Sequence, residues 1–495
     1  GLFVPYYFYD LNGKAQYKIN DKNRLFYSIY YGKDVLAFTG EDVDEQSEPS
    51  EQDTSAADLG LGFGFNLGNL TNTIRWNHIY GEKLFSNVSL ISTLFNYDIQ
   101  GKLANNNVLI KSNIFDLGAK ADWNYFHTSE LEVKFGTSYI SHTFKPNIVS
   151  TAGEISDFLA SSQGDKLYTH EFGLYGHIDQ ELNDKFKIKY GARFSGSAQT
   201  NKTYFGFEPR FAATYMVNET SSVKASYSRM KQYMHRVSSS TVALPTDLWY
   251  PVTENIAPQL SDQVAVGYNM LFKDIGTSLT VEGYYKWMDN LIEYREGANL
   301  ILNNDFESEL LQGKGDAWGA EVLLQKNDGR FNGWISYTLS WATRDFDELN
   351  GGRTFWAKYD RRHTVSIVGN FDISERIKIS AVWVYQTGSR FTAQIGQYFM
   401  PNSTLTGIDI IPLYTDRNAV QMSPSHRLDL NLTIGPRPGI EKRFKSEWQI
   451  GCYNLYNRAQ PYRVNIVPTD EGIGYKYEQP GLFGFIPSVA YNFKF

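Results

Sequence analysis

Apolar and polar residues alternate one by one through almost the whole chain, and this constrains the fold more than any other feature. In RIKISAVWVYQTG (376–388), Ile377, Ile379, Ala381, Trp383 and Tyr385 share one face, while Lys378, Ser380 and Gln386 take the other. In HRLDLNLTIG (426–435), Leu428, Leu430, Leu432 and Ile434 oppose Arg427, Asp429, Asn431 and Thr433. LTVEGYYKWMD (279–289) sets Leu279, Val281, Tyr285 and Trp287 against Thr280, Glu282, Tyr284 and Lys286. WGAEVLLQ (318–325) sets Trp318, Ala320, Val322 and Leu324 against Glu321 and Gln325. A period of two belongs to strands with one apolar and one wet face. Roughly nineteen such strands follow one another.

So many half-apolar strands do not fit a sandwich, whose inner faces must meet in one core about 10 Å thick. Closure into a barrel removes the sheet edges. A β-propeller would repeat a four-strand unit, and no such repeat occurs. Composition agrees: the chain holds 34 Tyr, 32 Phe and 10 Trp, yet its mean hydropathy is negative, as one-by-one alternation requires. The 495 residues show no linker or change of texture, so 1–495 reads as one domain.

The connections alternate between short and long with few exceptions. Short ones fall at Asn20 to Asn23, Gly81 to Lys83, Asn183 to Lys185, Asn218 to Thr220, Lys273 to Gly276 and Asp372 to Arg376. Long ones cover about 39–68, 145–166, 235–260, 293–314, 345–358, 389–424 and 458–484. Short periplasmic turns, long external loops and aromatics near strand ends (Tyr6-Tyr7-Phe8-Tyr9, Tyr30-Tyr31, Trp287) predict an all-β transmembrane antiparallel barrel in the bacterial outer membrane. The net charge of −7 argues against a nucleic-acid partner. No run reaches the ~18 apolar residues of a membrane helix. Cys452 is the single cysteine, which excludes intrachain disulfides and Cys-based metal sites.

The last strand, FIPSVAYNFKF, follows a long loop and therefore runs inward. The first, around residues 5–19, precedes a short turn and runs inward too. Single-chain bacterial barrels have an even strand number with both ends in the periplasm. An odd number of strands is therefore expected upstream, and Gly1-Leu2-Phe3 does not resemble a natural start.

Five stretches carry a family resemblance: YFYDLNGKAQYKINDKNRLFYSIYYGKD; EPRFAATYMVNETSSVKASYSRMKQYMH; APQLSDQVAVGYNM; the block from GDAWGAEVLLQ to RRHTVSIVGNF; and SHRLDLNLTIG followed by NLYNRAQPY. In order and spacing the chain resembles the barrel of TonB-dependent outer-membrane receptors, particularly the Bacteroidetes branch. The resemblance implies a barrel of about 22 strands for active uptake energised through TonB. Subtracting the strands present leaves three, an odd number, as topology expects. The family's N-terminal plug, which carries the TonB-contacting box, has no counterpart here, so TonB would act through that missing region. The resemblance further implies outer-membrane lipid and lipopolysaccharide around the barrel, a surface lipoprotein lid, and no cofactor. A barrel that only anchors a lipoprotein, or a passive porin-like channel, stands as the alternative.

Enzyme readings are weak. His170, Glu171 and His177 lack the helical HExxH spacing of a zinc protease, and a separation of seven on a strand puts the histidines on opposite faces. Gly60, Gly62 and Gly64 precede no helix or lysine suited to phosphate. Catalysis at a barrel rim by Ser, His and an acid is the remaining enzyme reading. The acidic run 41–58 reads as a solvated loop, with cation binding the sharper alternative.

An arginine at the lipid midplane costs about 2–4 kcal/mol, which assigns the polar faces to the lumen. Glu282, Lys286, Glu321, Lys378, Arg427 and Asp429 are thus expected inside, with plug docking as their ordinary role. Ligand-binding candidates are aromatics and arginines of the long loops: Trp249, Tyr250, Arg353, Phe355, Trp356, Tyr398, Tyr414 and Arg417. Aromatic faces beside donors suit sugars, peptides or siderophores equally; packing of loop on loop is their structural alternative. In AKYDRRHTVSIVGNFDI (357–373), Val365, Ile367, Gly369 and Phe371 should face lipid, and Thr364, Ser366 and Asn370 the lumen. Strict alternation then sends Arg362 into the barrel mouth and Arg361 and His363 outward, where arginines could meet lipopolysaccharide phosphates.

Overall fold

The structure is a computed structural model that describes residues 6–39, 62–152, 156, 166–237, 248–296, 306–401, 408–436, 445–461, 464–468, 475–482 and 484–494. The acidic run 41–58 lies outside them. Among the described residues, nineteen long strands make one antiparallel meander: β1 Tyr6–Asn20, β2 Asn23–Thr39, β3 Gly62–Ile79, β4 Leu84–Leu103, β5 Asn106–Phe126, β6 Leu131–Ala152, β7 Leu167–Asn183, β8 Phe186–Ala198, β9 Thr203–Asn218, β10 Ser221–Gln232, β11 Gln259–Phe272, β12 Thr277–Tyr294, β13 Leu310–Lys326, β14 Phe331–Asp345, β15 His363–Asp372, β16 Ile377–Gln386, β17 Ser425–Ile434, β18 Lys445–Tyr453 and β19 Ile486–Lys494. A two-residue strand, Phe355–Trp356, adds to the tip of β14. Within this sheet β1 pairs only with β2, and β19 only with β18.

Cross-strand register turns the alternation into two continuous surfaces. One row joins Glu282, Glu321, Thr338, Thr364 and Gln386 across β12 to β16. The neighbouring row on the opposite face joins Val281, Val322, Tyr337, Val365 and Tyr385. Farther down the apolar face, Phe371, Ile379, Leu432, Ile450 and Val489 align across β15 to β19. Many of these side chains are exposed, including Ile379, Ile450, Phe371 and Val489. A solvent-exposed apolar band of this extent fits lipid and not water.

Turn chemistry explains why one end of the sheet is tight. Asn20, Asn183 and Asn218 each end a strand, and each side-chain oxygen accepts the backbone N–H two residues on, from Lys22, Lys185 and Thr220 at 3.0, 3.0 and 2.9 Å. This Asx geometry closes a hairpin locally. Gly276 closes another with φ 59°, in the left-handed region that favours glycine. The other end is broad. The strands β3 to β6 run 18 to 22 residues, about twice the 9–11 needed to cross a bilayer, so they project beyond it.

Compact apolar packing lies under the loops at that broad end. Tyr250, Ile256, Ile292, Tyr294 and Leu310 form one buried cluster, and Leu291, Leu311, Phe346, Leu349 and Phe355 a second. These fasten the external connections onto the tips of β12, β13 and β14.

Candidate functional site at the external mouth

The tips of β12 and β14, the segment 350–362 and residues 415–419 converge at the external mouth. Arg417 lies buried there: its Nη2 donates to Glu293 Oε2 at 3.0 Å and to the Tyr294 carbonyl at 3.3 Å, and its guanidinium lies 5.6 Å from the Phe355 ring. Its backbone N–H donates to Asn350 Oδ1 at 3.0 Å. Arg353 is exposed and reaches Asp416 at 2.6 Å. Asp360 is fully buried, accepts the Ala342 N–H at 3.0 Å, and holds Arg390 at 2.9 Å and Arg362 at 3.6 Å. The two arginines flank the Trp356 ring at 4.7 and 5.0 Å, and Arg362 also lies 4.7 Å over Trp341. Trp341, Arg362, Trp356 and Arg390 thus form an alternating stack of indoles and guanidinium groups.

The loop candidates divide in two. Phe355, Tyr250 and Arg417 are buried in packing; the Tyr250 hydroxyl donates to Glu307 at 3.3 Å. Trp249 is half-buried in the strand Leu248–Pro251, opposite Arg236. Trp356 is half-buried in the stack. Arg353, Tyr398 and Tyr414 are exposed, the tyrosines on a separate external hairpin, Gln394–Pro401 with Ile408–Tyr414. The structure therefore brings Arg353, Phe355, Trp356 and Arg417 together and leaves Trp249 and Tyr250, and the two hairpin tyrosines, in two other groups.

On the wall, Glu282 and Glu321 sit directly opposite one another, and Lys286 lies level with Gln263 and Ala317 on the same face. Two like charges face to face are disfavoured unless water hydrates them. Lys378 lies 3.4 Å from Asp372. Arg427 bonds Asp429 at 2.9 Å and lies 4.7 Å over Tyr453, while Asp429 accepts the Asn454 N–H at 2.8 Å. His170 and His177 are on opposite faces, with His170 bonded to the Tyr139 hydroxyl at 2.9 Å.

Strict alternation misplaces one pair. Arg362 packs on Trp341, which stacks on Trp318 at 5.9 Å, and Trp318 in turn stacks on Tyr285; all three belong to the outward face. Arg361 instead donates to Gln386, in the polar inward row. The expected positions of Arg361 and Arg362 are reversed because residues 357–362 form a turn, where a period of two no longer applies. His363, the first residue of β15, is outward as expected and bonds the Tyr337 hydroxyl at 2.9 Å.

Several polar groups escaped sequence reasoning. Asp360, Arg390 and Glu293 organise the mouth, yet nothing local marks them. Arg344 was legible by parity in WISYTLSWATRD, where it shares a face with Ser336, Thr338 and Ser340. On the far wall, His142 is buried between Asp116 at 2.7 Å and Glu171 at 3.6 Å. Glu208, also buried, accepts from Ser195 at 2.6 Å and lies 3.4 Å from Arg210. Beside it a recess of about 460 Å³ is lined by Lys120, Tyr175, His177, Lys189, Arg193 and Arg210.

Residues 3–455 match the family model described as TonB dependent receptor-like, beta-barrel. The chain belongs to this family. TonB-dependent receptor barrels reside in the outer membrane, and the exposed apolar band of this one faces that lipid. Solved structures show the same fold at low identity. The ferric-catecholate import receptor Fiu from E. coli K12 aligns with a TM-score of 0.64 and 13% identity, over 99% of this chain and 75% of its own. The FrpB iron transporter from Neisseria meningitidis gives 0.66 and 11%, over 100% and 73%. The ferric yersiniabactin uptake receptor FyuA from Yersinia pestis gives 0.64 and 12%, over 99% and 70%. No curated protein matches the chain.

Proposed function

We propose that this TonB-dependent receptor barrel is the wall and external mouth of an active importer. The observation that carries this reading is the joining of a family-matched barrel to a braced, arginine-rich external mouth. External loops capture the ligand, TonB acts through a plug, and the inward polar rows guide passage. A plug and about three further strands complete the barrel in this reading. The edges of β1 and β19, unpaired among the described residues, and the 70–75% coverage of the three relatives above support that reading.

Two partners follow. The external strands Gln394–Pro401 and Ile408–Tyr414 expose Ile395, Tyr398, Met400, Leu413 and Tyr414, a surface that suits a lipoprotein lid. Outer-membrane lipid and lipopolysaccharide border the outward aromatic face that carries Tyr285, Trp318 and Trp341.

The test is growth on single nutrients with the gene deleted, and separately with TonB inactivated. Import predicts the same nutrient-specific defect in both strains. Uptake that persists without TonB would favour a passive channel, and loss of a surface lipoprotein without loss of uptake would favour an anchor.

A further inference from the structure

The tip of β12 and β13 leaves the wall at a bulge. Met288 pairs with Gly315 and Leu291 with Gly313, so Asp289 and Asn290 stand opposite Lys314 alone, and Asn290 takes φ 56°. A bulge bends its strand and sharpens the local twist. Beyond it the two sides of the hairpin stay distinct. Leu291, Glu293 and Leu311 continue the inward face, and Ile292, Tyr294, Leu310 and Gln312 the outward one. Lower down, outward residues such as Val281 and Trp287 are exposed, as lipid contact requires. At the tip, outward Ile292, Tyr294 and Leu310 are buried instead.

Residues 248–258 cover them. Tyr250 and Ile256 pack on that side. The Ala257 N–H donates to Gln312 Oε1 at 3.2 Å, Gln312 Nε2 returns a bond to the Ala257 carbonyl at 3.1 Å, and Asn290 Nδ2 donates to the Pro258 carbonyl at 2.9 Å. The same segment rests on the inner wall. Tyr204, which shares the face of Glu208, donates its hydroxyl to the Thr253 carbonyl at 2.7 Å. The Val252 N–H donates to the carbonyl of Tyr233, whose hydroxyl meets Ser195 Oγ at 2.8 Å. Leu167, opposite Phe144, packs against Tyr250 and its cluster. One segment can touch the inner wall of β7 to β9 and the outward side of the β12–β13 tip only if that tip turns inward over the lumen. The tip's inward side is covered as well, by Phe346, Leu349 and Phe355, and by Arg417 on Glu293 at 3.0 Å. A hairpin packed on both sides has the contacts of a core element and not of a mobile loop.

We propose that the tip of β12 and β13, backed by residues 248–258, is a fixed septum across the external mouth that limits the cross-section of what can pass. Its use as a filter rests on the import reading, but the septum is measured without transport.

The experiment uses the protein from its whole gene in outer membranes, with K286C in a C452S background as the reporter. Lys286 faces inward just below the bulge, so maleimides of increasing size added from outside read the opening above it. Small reagents should label and large ones should not. N290V, whose β-branched side chain opposes a positive φ, and I256D, which puts a charge in the buried cluster, should each raise labelling by large reagents about tenfold or more. Hydrogen exchange should rise together in 248–258, 289–294 and 310–314, while N290G should match the parent. Heat-modifiable migration on gels should report an intact barrel in each variant. A size limit that neither variant moves would overturn the filter, and exchange confined to the substituted segment would overturn the single unit. An A257C–Q312C crosslink should leave uptake unchanged. If it blocks TonB-dependent uptake, the tip is a moving gate, so the fixed septum falls and import stands. If the size limit behaves as expected but uptake does not need TonB, the septum stands and active import falls.

Discussion

Lys378 and Arg417 carry the same charge in opposite settings. Lys378 stands on the inner wall, 55% exposed and 3.4 Å from Asp372, at a position that alternation alone assigns. Arg417 is 7% exposed, clamped by Glu293 and lying over Phe355, in a loop where no periodicity applies. Wall charges are tolerated because lumen water hydrates them. The buried mouth arginines Arg417 and Arg390 are tolerated because each is paired with a carboxylate, and removal of one member leaves the other buried without compensation. The wall is therefore robust to loss of a single inward charge, and the mouth is not.

The most severe challenge to that contrast is R417A. It strands Glu293 beneath the loops and should loosen the mouth by about 3–5 kcal/mol, visible as faster proteolysis and hydrogen exchange in 350–356 and 415–419 with the barrel intact. Protection equal to the wild type would show that the mouth is braced by its apolar clusters alone. Next in size is I379R, which places a charge on the lipid face and should cost about 2–4 kcal/mol of barrel stability, whereas K378A should change little. Equal amounts of folded barrel in the membrane for both variants would reverse the assignment of faces.

The third expectation concerns pH. His235, in the external strand Met234–Val237 opposite Tyr250, is fully buried with neither ring nitrogen bonded among the described residues, and burial holds its pKa down to about 4. An opened hairpin would restore the ordinary value near 6.5 and bind a proton sooner. The stability contributed by the neutral ring is thus complete above about pH 6.5 and is lost as pH falls from there through about 4. At pH 5 the loss is about 2 kcal/mol. Hydrogen exchange in Met234–Val237 and Leu248–Pro251 should rise over that window, and H235F should remove the dependence; a flat profile in the wild type would sink the idea.

Legibility in the sequence follows the same division. Alternation places Ile379, Leu432 and Val365 outward and Glu282, Glu321 and Asp429 inward, because a strand's side chains obey a local rule. The short turns were visible too, since Asn20, Asn183 and Asn218 act on residues only two away. The mouth depends on distant partners instead. Arg417 meets Glu293 across 124 positions, and no local pattern announces that contact or the burial of Phe355 and Tyr250. Arg361 and Arg362 mark the border between the regimes, where one turn was enough to exchange their faces.

The Trp341–Arg362–Trp356–Arg390 stack has a mechanical consequence. Each cation–π contact contributes about 0.5–2 kcal/mol, and three in series, with Asp360 behind them, rivet the tip of β14 to the start of the loop after β16. A rim riveted in this way moves as one piece. Motion of that loop against the wall must then begin beyond Arg390, so Trp356 and the tip of β14 keep their relation whatever the loop does.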